Sequence, residues 1–123
     1  MAIPKYYELF NFLLTAIKDL GGEATNLELE EKVAKKLQLT DQEIAEQHPS
    51  NKNQYKRTEL QYQLAWARTY LKVYGLIDSS KRGAWLLTTK GKAIETVDAS
   101  QVMAFVNRYS RDKRENLEKT HLE

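Results

Sequence analysis

Lysine and arginine are unevenly spread along this chain. Residues 52–92 carry 9 of them against 2 Asp and Glu, net +7, whereas residues 1–51 are net −4 and residues 93–123 net −1, so the whole chain is only +2. Each clustered cation can neutralise one phosphate and release its counterions, which is the chemistry of a nucleic-acid-binding face. Side chains able to read base edges lie among them. Arg57 suits the O6 and N7 of guanine, and Gln61 the N6 and N7 of adenine. The candidate DNA-contacting set is Lys52, Tyr55, Lys56, Arg57, Thr58, Gln61, Arg68, Lys72, Lys81 and Arg82.

Positioning these side chains falls to the stretch Tyr55–Gly91. At about 100° per residue, Leu60, Leu64, Ala67 and Leu71 fall within about 60° of one another and form a core stripe. Gln61, Arg68, Thr69 and Lys72 occupy the polar flank. Gly75 can take the positive φ that ends a helix. Leu76–Asp78 and Ala84–Leu87 are short β-prone runs joined by Ser79–Gly83, with Trp85 and Leu87 on one face. The spacing predicts a helix over 55–74 followed by a hairpin over 76–88. Such a succession is the core of a winged helix-turn-helix, a mainly α fold with a small β-hairpin (α+β). Its third helix places its N-terminal residues in the major groove. Arg68 and Lys72, further along, would reach phosphates, as would Lys81 and Arg82 at the hairpin tip and Lys52 in the preceding loop.

The rest of the chain supplies the support. Pro4 suits a first helical position, and Tyr6, Leu9, Phe10, Leu13, Leu14, Ile17 and Leu20 recur at helical spacing before Gly21-Gly22. Glu23–Thr25 suits a third, edge strand beside the hairpin. Asn26 is the expected cap of a second helix running to about Leu39, with Leu29, Val33 and Leu37 as its apolar line. Thr40 and Glu43 have capping-box spacing and open a short helix ending before Pro49, followed by a polar loop over 49–54. Thr88 or Thr89 caps another short helix to about Val97. Asp98–Ser100 is a break, and a last helix over 100–119 carries Val102, Phe105, Val106 and Tyr109 on one side. The domain expected over 1–98 is thus followed by a C-terminal helix or linker over 99–123.

Several classes are set aside. With no cysteine there is no disulfide, thiolate zinc site or Cys nucleophile, and a cytoplasmic protein is the default. No apolar run approaches the roughly 18 residues of a membrane span. Asp19 with Glu30-Glu31-Lys32 imitates the D…E-x-K pattern of metal nucleases, but on a helix Glu30 and Lys32 stand about 200° apart and do not converge on one ion. Neither a catalytic residue nor a metal or cofactor site is expected. Trp66 and Trp85 read as core, His48 as an exposed loop residue and His121 as part of a tail. Arg68 has the alternative of pairing with an acidic residue of the second helix.

Trp66–Lys72, Gly75-Leu76-Ile77, Arg82–Trp85, Leu87-Thr88 and Lys90-Gly91 together resemble the N-terminal domain of Mrr-type restriction proteins. Ile3-Pro4 and the segment from Leu39-Thr40 to Pro49-Ser50 extend the resemblance over about residues 3–95. It implies a winged-helix module that targets double-stranded DNA, methylated DNA included, for modification-dependent restriction. It also implies that a separate C-terminal nuclease domain cuts, so that this chain is a piece of a longer protein or a stand-alone relative. Two other readings stand beside it: an interaction module forming a homodimer through the last helix, and a free-standing transcription regulator.

Overall fold

The computed structural model describes residues 3–49 and 56–122, with side chains to residue 117. The N-terminal stretch does not enter a helix at Pro4. A single 3-10 turn, Tyr6–Glu8, comes first, capped by Lys5, and α1 (Phe10–Asp19) begins only after Leu9. Phe10, Leu13, Leu14, Ala16 and Ile17 are buried, the spacing expected of one apolar face. β1 (Glu23–Ala24) leads to α2 (Asn26–Lys36), and α3 (Asp41–Ile44) is a single turn. Next comes α4 (Glu59–Tyr74), the longest helix of the core. β2 (Ile77–Asp78), β3 (Trp85–Leu87), α5 (Thr89–Ala93) and α6 (Ala99–Leu122) complete the order.

Three threonines decide where helices start. Thr25, Thr40 and Thr58 each accept a hydrogen bond from the backbone N–H three residues on, at 3.1 Å, while Glu28, Glu43 and Gln61 reach back to the threonine N–H. Each is a capping box satisfying two otherwise orphaned donors. The cap of α2 is therefore Thr25 and not Asn26. Asn26 is instead the first helical residue, and its Oδ1 accepts a hydrogen bond from Trp85 Nε1 at 2.7 Å. By the same device α4 starts at Glu59, four residues later than the spacing predicts. At its other end Gly75 has φ 98°, and the N–H groups of Gly75 and Leu76 both bond the Leu71 carbonyl at 3.0 Å, closing the helix.

The antiparallel sheet has the order β1-β3-β2, so the edge strand expected at Glu23–Thr25 is present. Glu23 pairs with Leu86 and Ala24 with Trp85, while Ile77 pairs with Leu87 and Asp78 with Leu86. The core joins the buried faces of α1 and α2 to Leu60, Leu64, Ala67 and Leu71 of α4, then to Leu76, Ile77, Leu87, Val102 and Val106. α6 lies along α4, burying Val102 and Val106 while residues 107–117 are exposed. The fold is thus mainly helical with a small antiparallel sheet. Among the described residues no helix is long and apolar enough to cross a membrane.

Candidate nucleic-acid interface

The expected contact residues come from three places. Lys52 and Tyr55 fall outside the described residues. Lys56 and Arg57 are exposed immediately before α4. Thr58 is the cap of α4, so its hydroxyl is engaged with Gln61 N–H at 3.1 Å. The Gln61 carboxamide is engaged as well: its Oε1 accepts from Thr58 N–H at 3.0 Å and its Nε2 lies 3.3 Å from both Glu30 oxygens.

Arg68 occupies the middle of this flank. Its guanidinium sits over the Trp85 ring at 5.7 Å, and its buried Nε has no hydrogen-bond partner among the described residues. Burial, with Arg57 nearby adding to it and Glu30 opposing, pushes the Arg68 guanidinium down to about 10, so it stays charged at neutral pH. Among the described residues it forms no ion pair with α2, the alternative raised by the sequence. Asn26, Glu30, Arg57, Gln61, Leu64 and Arg68 together line a polar cleft of about 190 Å³ between α2 and α4.

The turn between β2 and β3 completes the basic surface. Lys72 Nζ donates to Ser79 Oγ at 2.7 Å, linking α4 to this turn. Lys81 pairs with Glu23 of β1 at 2.5 Å, and Arg82 beside it is exposed. Arg57, Gln61 and Arg68 thus share one cleft, with Lys72 one turn further along α4 and Lys81 and Arg82 in the β2–β3 turn that Lys72 contacts through Ser79.

Two expectations from sequence are corrected. Trp66 is not a core residue: it is 44% exposed. It stands between Tyr62 and Tyr70 at i±4, with ring centroids 6.5 and 6.3 Å away, on the flank turned from the Leu60–Leu71 stripe. These three rings, with Lys5, Tyr6 and Gln63, line a groove of about 300 Å³. His48 is not an exposed loop residue either. Its side chain is 15% exposed, its ring stacks on Tyr62 at 3.7 Å and its Nδ1 lies 2.5 Å from Glu59 Oε2.

That histidine belongs to a clamp at the start of α4. Buried Gln63 accepts the Tyr6 N–H and donates to Glu59 Oε1, both at 2.8 Å. Glu59 N–H bonds the Glu46 carbonyl at 2.8 Å and His48 N–H bonds the Arg57 carbonyl at 3.0 Å, on either side of a Gln47–Thr58 bridge. Burial raises the Glu59 pKa, but hydrogen bonds from His48 and Gln63 outweigh it and hold the carboxyl below its ordinary value. A folded-state pKa below the unfolded one contributes stability above the unfolded value, near 4.3, and loses it as pH falls through the folded value. Wild-type protein is therefore expected to lose stability more steeply below about pH 4.3 than Glu59→Gln. Urea midpoints from about pH 6 to about pH 3 check this, and parallel curves would refute it.

Asp19 pairs with Lys36 at 2.6 Å, Glu30 faces α4, and no group of His, Asp and Glu among the described residues could hold a metal ion.

No curated protein and no solved structure matches the chain. One family does: the Mrr N-terminal domain, over residues 6–96. It is an N-terminal domain associated with restriction systems, not the nuclease domain. With most of the chain matched, including α1 to α5 and the whole sheet, this protein belongs to the Mrr N-terminal domain family.

Proposed function

We propose that this chain is a winged-helix domain that binds double-stranded DNA and acts as the non-catalytic targeting part of a cytoplasmic restriction system. α4 is its recognition helix and the β2–β3 turn its wing. The observation that carries this reading is the concentration of net +7 in residues 52–92, together with the Lys72–Ser79 link that sets the flank of α4 and the wing side by side. In this reading Arg57 reads a base edge while Lys56, Lys72, Lys81 and Arg82 contact phosphates. Lys52 and Tyr55 precede the helix in the sequence and are further candidate contacts. Arg68, seated on Trp85, is a strut first and a contact second.

Binding to short duplexes, unmodified and methylated, at several salt concentrations tests it. If these four cations engage phosphates, log affinity falls with log salt at a slope of roughly −3.6. The double variant Lys56→Ala/Arg82→Ala should flatten that slope by about 2. Tighter binding to methylated duplex supports the restriction reading over a general transcription regulator. No binding at low salt removes it.

A second reading has its own observation. Phe105, Tyr109 and Leu117 are 46%, 48% and 55% exposed along α6. Such a row suits a homodimer or partner helix. Light scattering that gives a dimer for the wild type and a monomer for Phe105→Glu would establish this second role.

A further inference from the structure

The cleft between α2 and α4 holds a group that phosphate binding does not explain. Glu30 places a carboxylate between Arg57, Gln61 and Arg68, and its hydrogen bonds to Gln61 Nε2 are long, both at 3.3 Å. An N–H···O bond usually lies at 2.7–3.2 Å, so the carboxylate retains acceptor capacity. Arg68 Nε is a buried donor with no partner among the described residues. The cleft therefore presents an acceptor and donors together. A phosphate brings acceptors only, and its charge would meet the carboxylate. A base edge in the major groove brings a donor and an acceptor side by side: the N4 amine of cytosine beside guanine O6, or the N6 amine of adenine beside its N7.

We infer that Glu30 is a specificity-determining residue, accepting a hydrogen bond from the exocyclic amine of a cytosine or adenine in the duplex while Arg57 takes the neighbouring acceptor. Asn26, Gln61 and Leu64 frame the site, and the Trp85 ring supports Arg68 and bonds Asn26 from outside the cleft. The inference rests on the DNA-binding reading and adds to it a residue from a second helix. It also separates two roles within the basic surface. Lys72, Lys81 and Arg82 would set affinity, and the cleft would set preference.

The test compares wild type and Glu30→Gln on short duplexes that differ at single base pairs, at fixed salt, with the salt slope measured for one duplex. The expected result is a wild-type preference for an amine-bearing base at one position, reduced roughly tenfold in the variant, with the salt slope unchanged. An equal change in affinity for every duplex would show Glu30 to be only a charge in the field and would overturn the inference. Wild-type binding without preference would overturn it while leaving the DNA-binding reading intact. Failure of the wild type to bind any duplex at low salt would remove both. If Glu30→Gln melts earlier, the ratio between duplexes still reads the effect, because the folded fraction cancels from it.

Discussion

Replacing Leu64 by alanine is expected to lower the free energy of unfolding by about 2–5 kcal/mol. Leu64 is 1% exposed and sits between Leu60 and Ala67 on the stripe by which α4 enters the core. Truncation removes the transfer energy of the buried methyl groups and leaves a cavity that rigid neighbours fill only in part. Against a typical total of about 5–15 kcal/mol, that is a large fraction of what keeps α4 in place. Urea titration reads it as a lower midpoint at unchanged slope. Trp66→Ala serves as the control. With its ring 44% exposed, its loss should be clearly smaller despite the larger side chain. Equal losses would mean that the aromatic flank anchors α4 as strongly as the stripe does.

Gly91→Ala is the second large effect, and its sign is the informative part. Alanine in a helix is normally better than glycine by roughly 0.5–1 kcal/mol. Here a Cβ would stand 2.2 Å from the Leu76 carbonyl oxygen, 3.1 Å from its carbon and 3.2 Å from Leu87 Cδ2. That carbonyl accepts the Thr88 N–H at 3.1 Å, and the Thr88 hydroxyl bonds the Gly75 carbonyl at 2.6 Å and the Gly91 N–H at 3.0 Å. The backbone on both sides of the clash is therefore tied down. Net destabilisation of about 1–3 kcal/mol is expected, read as a lower melting temperature. A higher one would mean that α5 moves off the sheet freely.

Much of this arrangement is legible in the residues themselves. The stripes of α1 and α4, the stop at Gly75, the two hairpin strands and the edge strand at Glu23 follow from periodicity and glycine placement. Boundaries are less legible. Thr40–Glu43 is recognisable as a capping box, yet Thr25–Glu28 and Thr58–Gln61 have the same spacing and shift the starts of α2 and α4. Trp66 illustrates a different limit. Its aromatic character suggests burial, but its angle on the helix puts it beside Tyr62 and Tyr70, away from the stripe. His48 and Glu59 meet across 11 residues of chain, and Glu30 faces Gln61 across 31, so no local pattern announces either contact. The candidate cleft is a product of how α2 and α4 cross, which composition and charge do not report.

The clamp at the head of α4 has an evolutionary consequence. The chain leaves it at His48 and returns at Arg57, and backbone bonds at Glu46, His48, Arg57 and Glu59 hold the two ends together from within the domain. Between ends fixed in this way, each doubling of the connecting length costs only about 0.6 kcal/mol more in closure entropy. Relatives can therefore lengthen, shorten or rewrite the intervening residues at little thermodynamic cost. α4 keeps its start throughout, so the connection becomes an exchangeable cassette whose sequence can drift without disturbing the core.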